Sequence, residues 1–105
     1  MSSSVVEVNR ARAQQVTVTD ESLIVELTDG RTISVPLAWY PRLLHGSTAE
    51  RSNWRLIGAG EGIHWPDLDE DLSVESLIAG SPSGESNDSL KRWLEKRKPA
   101  AHSKK

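Results

Sequence analysis

From Val16 onward the chain alternates apolar and polar residues with the period of a half-buried strand. Val16 and Val18 alternate with Thr17 and Thr19, and Asp20-Glu21 then turns the chain into the apolar run Leu23-Ile24-Val25-Glu26-Leu27. Asp29-Gly30 reads as a tight hairpin, because glycine accepts the positive φ that such turns require. Ile33 and Val35 alternate with Thr32 and Ser34 until Pro36 ends the pairing. The three segments predict an antiparallel meander. Before them, residues 1–15 have no clean period and read as a loosely attached arm.

After Pro36 the pattern changes. Trp39 to Gly46 predicts a short helix, with Pro41 in its first turn, where the missing N–H is harmless, and Gly46 just past its end. Ser47-Thr48-Ala49-Glu50 fits a capping box that opens a second short helix over about Thr48 to Ser52. Trp54 to Ile57 and Ile63 to Trp65 read as two more strands joined by Gly58-Ala59-Gly60-Glu61-Gly62. Asp71 to Gly80 predicts a third helix, capped by Ser73 and stopped by Gly80. Residues 81–88 have the composition of a flexible linker. Residues 89–98 place Leu90, Trp93, Leu94 and the stem of Arg97 on one stripe at helical spacing, and Pro99 stops the pattern ahead of a tail expected to be disordered over 99–105. The fold class this predicts is α+β. A small antiparallel sheet, a three-stranded meander plus a hairpin, fills residues 16–80 with short helices on one face, and a C-terminal amphipathic helix follows.

Charge sharpens that division. The 105 residues sum to −2, but up to Leu90 there are six arginines, no lysine and fourteen acids, whereas Lys91 to Lys105 holds seven bases and one acid. An acidic body of −8 thus carries a basic tail of +6. The absence of cysteine excludes disulfides, thiolate catalysis and thiolate-bound zinc, and points to a reducing, cytoplasmic setting. Short apolar runs predict neither a membrane span nor a secretory leader.

No set of residues reads as catalytic, metal-binding or cofactor-binding, so the expectation is a protein that is not an enzyme and holds no cofactor. Gly58 to Gly62 lacks the third glycine and following helix of a dinucleotide fingerprint, and the body has no lysine for a phosphate loop. Asp67, Asp69 and Asp71 match the spacing of the first calcium-loop ligands, but Leu72 and Ile78 stand where that loop needs a glycine and a glutamate. His64 beside Trp65 and shortly before these acids raises a His–Asp site, with no serine nucleophile in evidence. Gly80-Ser81-Pro82-Ser83-Gly84 has proline where a nucleophile elbow has its serine.

Four tryptophans without a phenylalanine are the oddest compositional feature. Trp39, Trp54 and Trp65 fall at strand junctions near Arg42, Arg51 and Arg55, so indoles can fill a small core while arginines pair with carboxylates. The alternative is a contact surface of the residue types that dominate protein interfaces. Trp39, Tyr40, Arg42 and Trp65 are the candidates in the body, joined by Leu90, Trp93 and Leu94 of the basic helix. That helix has three possible docks. One is the body's own acidic stretch (Asp67, Asp69, Glu70, Asp71, Glu75). A second is a groove on a partner. The third is nucleic acid, met weakly and salt-sensitively by Lys91, Arg92, Lys96, Arg97 and Lys98.

The block from Val16 to Gly80 resembles a bacterial family known only by number, domain-of-unknown-function family 2442. The residues that carry the resemblance are the Leu-rich strand with Asp29-Gly30-Arg31, Val35 to Leu43, Ala49-Glu50-Arg51 with Trp54, and Gly62 to Val74. It implies a small α+β protein, often encoded beside a second small protein in an arrangement like a toxin–antitoxin pair, with this family in the antitoxin position. Some members are fused to a helix-turn-helix, and no such extension is recognisable in these residues. The resulting expectation is a non-catalytic, antitoxin-like module that binds and neutralises a protein encoded by an adjacent gene. The alternative is a nucleic-acid-binding or regulatory domain that uses the basic helix.

Overall fold

The computed structural model of the protein describes residues 11–97, and it is α+β. Strands β1 (Ala13–Val18), β2 (Ser22–Leu27) and β3 (Thr32–Pro36) form the antiparallel meander in the order β1-β2-β3. Alternation along β2 turns Leu23, Val25 and Leu27 inward, and the register sets Val16 beside Val25 and Val35 beside Leu23. The Thr19 hydroxyl accepts from the N–H groups of Glu21 and Ser22 to close the first turn. At the second, Gly30 takes φ +97° while the Asp29 carboxylate accepts from the Arg31 N–H and Nε.

The first strand begins before Val16, so Ala13 to Gln15, expected in the arm, belong to the sheet. A bulge between Ala13 and Gln15 hides this start. The extra residue breaks the period of two, and Ala13 and Val16, three apart, both face the core. Of the rest of the expected arm, Ala11 packs against the core and the Arg12 carbonyl accepts from the Thr28 N–H, while residues 1–10 lie outside the described residues, as do Lys98 and the tail 99–105.

A 3-10 turn over Leu37–Trp39 leads into α1 (Pro41–Leu44) and α2 (Thr48–Ser52). The capping box of α2 is formed: the Glu50 N–H donates to Ser47 Oγ, and the Ser47 N–H donates to Glu50 Oε1. A second antiparallel sheet follows, built from β4 (Arg55–Ile57), β5 (Gly62–Trp65) and β6 (Glu70–Ser73) in the order β4-β5-β6. The expected hairpin is therefore three-stranded, and β6 occupies residues read as a turn and the start of a helix. That helix, α3 (Val74–Ala79), starts later, with the Ser76 N–H donating to Ser73 Oγ, and ends on Gly80 in the left-handed region.

Residues of both sheets make one buried cluster, in which Leu23, Val25 and Leu27 of the first join Ile63, Trp65 and Leu72 of the second, with Leu37, Leu43 and Leu68 from the connecting segments. Trp65 is fully enclosed, and its indole N–H donates to the Arg51 carbonyl. Arg51 in turn donates to the Leu43 and Leu44 carbonyls at the end of α1 and to Asp20 in the turn after β1.

Candidate functional site

The last helix, α4 (Asn87–Arg97), begins on Ser86, whose hydroxyl accepts from the Ser89 N–H. Its apolar stripe is the expected one: Leu90, Trp93, Leu94 and Arg97 are half-buried, whereas Lys91, Arg92, Glu95 and Lys96 are exposed. Trp93 packs on the core's edge between two guanidinium groups, Arg42 at 5.1 Å from the ring centroid and Arg97 at 4.6 Å. Arg97 also forks onto Glu50, with its nitrogens 2.8 and 3.2 Å from the two carboxylate oxygens. Glu50 thereby closes the α2 capping box and anchors α4, and Arg97 holds its carboxyl below the ordinary carboxylate range.

Arg42 is the hub. Its Nε and Nη2 donate to the Glu85 carboxylate, at 2.6 Å for the shortest contact, while Nη1 donates to the Asp69 carbonyl. Both side chains of the Arg42–Glu85 pair are largely buried, so the bidentate bond is screened little by water. It holds Glu85 below its ordinary pKa and raises that of Arg42. Ser89 of α4 donates to the same carboxylate. Residues 81–86, expected as a flexible linker, are thus a strap against the body. The Tyr40 hydroxyl donates to the Ser81 carbonyl, and the Ser83 N–H donates to the Trp39 carbonyl.

The docked helix rests on the Arg42, Glu50 and Glu85 surface. Asp67 accepts from Asn53, Asp69 lies at Arg42, and Asp71 pairs with His64 across β5 and β6, so the acidic stretch is spread over different partners. Among the expected contact residues, Arg42 and Trp93 come together, and Trp39 is half-buried against the core. Tyr40 and Trp65 are 1% and 0% exposed and are corrected to core residues, because an enclosed ring offers no surface to a partner. Of the expected nucleic-acid contacts, Lys91, Arg92 and Lys96 face water, Arg97 is engaged by Glu50, and Lys98 lies outside the described residues.

Between β6 and the strap lies an open cavity of about 540 Å³, with Tyr40 and Arg42 in its wall. Glu70 lines it, half-buried, and burial pushes its carboxyl up to about 7. Arg42 opposes that rise, while Glu85, Asp71 and Asp69 add to it. The same burial and the Glu70 charge raise the Tyr40 hydroxyl. Glu70 was anticipated only as part of the acidic stretch that could dock the basic helix, and Glu85 was not anticipated as a site residue. Glu85 sits in a stretch of Ser, Pro and Gly whose composition mimics a linker, and nothing local marks it as the partner of a residue 43 positions earlier.

Residues 13–83 match the family described as "Protein of unknown function (DUF2442)". No curated protein matches the chain. A crystal structure of a protein of unknown function from Rhodospirillum rubrum is 30% identical, with a TM-score of 0.61 over 71% of this chain and 93% of its own. A solution structure of an uncharacterized protein from Chromobacterium violaceum shares the fold at 14% identity, with a TM-score of 0.63 over 92% of this chain and 85% of its own.

Proposed function

Because the chain belongs to the DUF2442 family, whose function is unknown, its role must be read from its own surface, and we propose that it is a non-catalytic protein-interaction module. The observation that carries this is the cluster of Arg42, Trp93 and Arg97, together with Trp39 on the edge of the same core. These side chains are half-buried and of the types that supply most interface energy, and the two arginines are held by ion pairs to Glu85 and Glu50. A prepaid geometry of this kind lowers the ordering cost of association. The finer reading is antitoxin-like: the partner is a protein encoded by the adjacent gene, which the module neutralises by covering its surface in the cytoplasm. No helix among the described residues is long and apolar enough to cross a membrane.

Co-expression with the adjacent gene product tests this directly. The expected result is a stable complex weakened at least tenfold by Trp39→Ala. Two separate monomers on gel filtration would overturn it. A second reading has one observation in its favour, the outward face of Lys91, Arg92 and Lys96. Three exposed cations give only weak, salt-sensitive binding to nucleic acid, to be read as a mobility shift lost in Lys91→Glu/Lys96→Glu.

A further inference from the structure

We propose that the cavity beside β6 receives a short extended peptide segment carrying a lysine or arginine, which pairs with the open edge of β6 and sets its cation against Glu70. This rests on the interaction-module reading and names the chemistry of the partner's segment.

Geometry comes first. The order β4-β5-β6 leaves one side of β6 without a neighbouring strand. Five consecutive residues, Asp69 to Ser73, line the cavity. Successive side chains of a strand point to opposite faces, so a void that touches all five runs along the strand's edge rather than over one face. The edge of Glu70 to Ser73 is roughly 13 Å long, enough for a segment of about four residues. The strap forms the opposite wall through Ser81, Ser83 and Glu85, with hydroxyls to meet the far side of an inserted chain. An unpaired strand edge is the feature that extended peptides use, since main-chain hydrogen bonds give affinity and side-chain pockets give choice.

Charge decides which peptide. The wall holds Asp69, Glu70, Asp71 and Glu85 against the single cation Arg42. Arg42 is already committed to Glu85 and to the Asp69 carbonyl, and Asp71 pairs with His64. The Glu70 carboxylate accepts no hydrogen bond from any described residue, although it is half-buried. A ligand with N–H donors and a positive charge supplies what that group lacks. Acidic residues on an edge strand deter pairing with neutral or acidic strands. The same charges admit a basic one.

The test uses the full chain, labelled with ¹⁵N, and three probes: Ac-Thr-Val-Lys-Val-Thr-amide, its Glu-for-Lys counterpart, and n-butylammonium. The lysine peptide is expected to shift the amides of residues 69–73, with the dissociation constant raised at least tenfold by Glu70→Gln at unchanged fold. The glutamate peptide is expected not to bind. Failure of the lysine peptide to shift β6, equal binding of both peptides, or unchanged affinity in Glu70→Gln would each overturn the site. Butylammonium binding as tightly as the lysine peptide would overturn strand pairing. These outcomes are separable from failure of the module reading: a protein partner that co-purifies undiminished with Glu70→Gln, while the peptide does not bind, removes the cavity and leaves the Trp39 surface standing.

Discussion

A half-buried carboxyl raised to about 7 ties stability to pH near neutrality. Folded Glu70 keeps its proton above the unfolded value of 4.5, so its contribution is full below about pH 4.5 and is lost as pH rises through about 7. Ionised Glu70 faces Asp69, Asp71 and Glu85 with only a committed Arg42 to offset them. Glu70→Gln should therefore stabilise the protein at pH 8 by about 1–2 kcal/mol, after allowance for solvent screening, and change little at pH 4. Parallel melting curves for the two proteins from pH 4 to 8 would refute this. The chain itself signalled some of these residue roles. Trp65 shares the alternation of Ile63, which marks it as core, whereas its place at a strand junction suggested a contact surface. Burial of Glu70 depends on a strap folded over it from 11 residues or more downstream, which no local pattern records.

At the scale of elements, α4 was legible as an amphipathic stripe, because Leu90, Trp93, Leu94 and Arg97 repeat at helical spacing. Its dock was not, because Arg42, Glu50 and Glu85 come from three separate segments. An 11-residue helix is marginal alone, so its order depends on that dock. Trp93→Ala removes the ring between two guanidinium groups and should release the helix while the sheets persist. Amide exchange in 87–97 is expected to rise by tenfold or more, with β2 unchanged. Equal protection in the variant would show that the helix is held by other contacts. Acid should act in the same direction. Glu50 and Glu85 have lowered folded pKa values, so their contribution is present above the ordinary carboxylate range and is lost as pH falls through the lowered values. Loss of helical circular dichroism below about pH 4, before the sheets melt, is the expected sign.

For the whole molecule the question is what joins two small sheets into one body, since segments this short rarely fold alone. Part of the answer is the buried cluster they share, and part is backbone contact at Gly60. Gly58, Ala59 and Gly60 all take positive φ, which folds the loop between β4 and β5 back against the start of β1. A Cβ at Gly60 would lie 2.9 Å from the Ala13 carbonyl and 3.1 Å from the Arg12 Cβ, at φ +95°. The glycine-rich spacing was readable as a connection between strands. That it also abuts the first sheet was not, because the bulge hides Ala13 as the start of β1. Gly60→Ala must shift backbone in both sheets together and should cost about 1–3 kcal/mol, lowering the melting temperature by about 5 °C or more. Gly84→Ala is the control, with no atom within 4 Å of its Cβ and no positive φ, so it should be neutral or slightly stabilising. A single cooperative transition at lower temperature is expected for Gly60→Ala. Separate melting of two transitions, or equal effects at both glycines, would show that the sheets are not coupled through this contact.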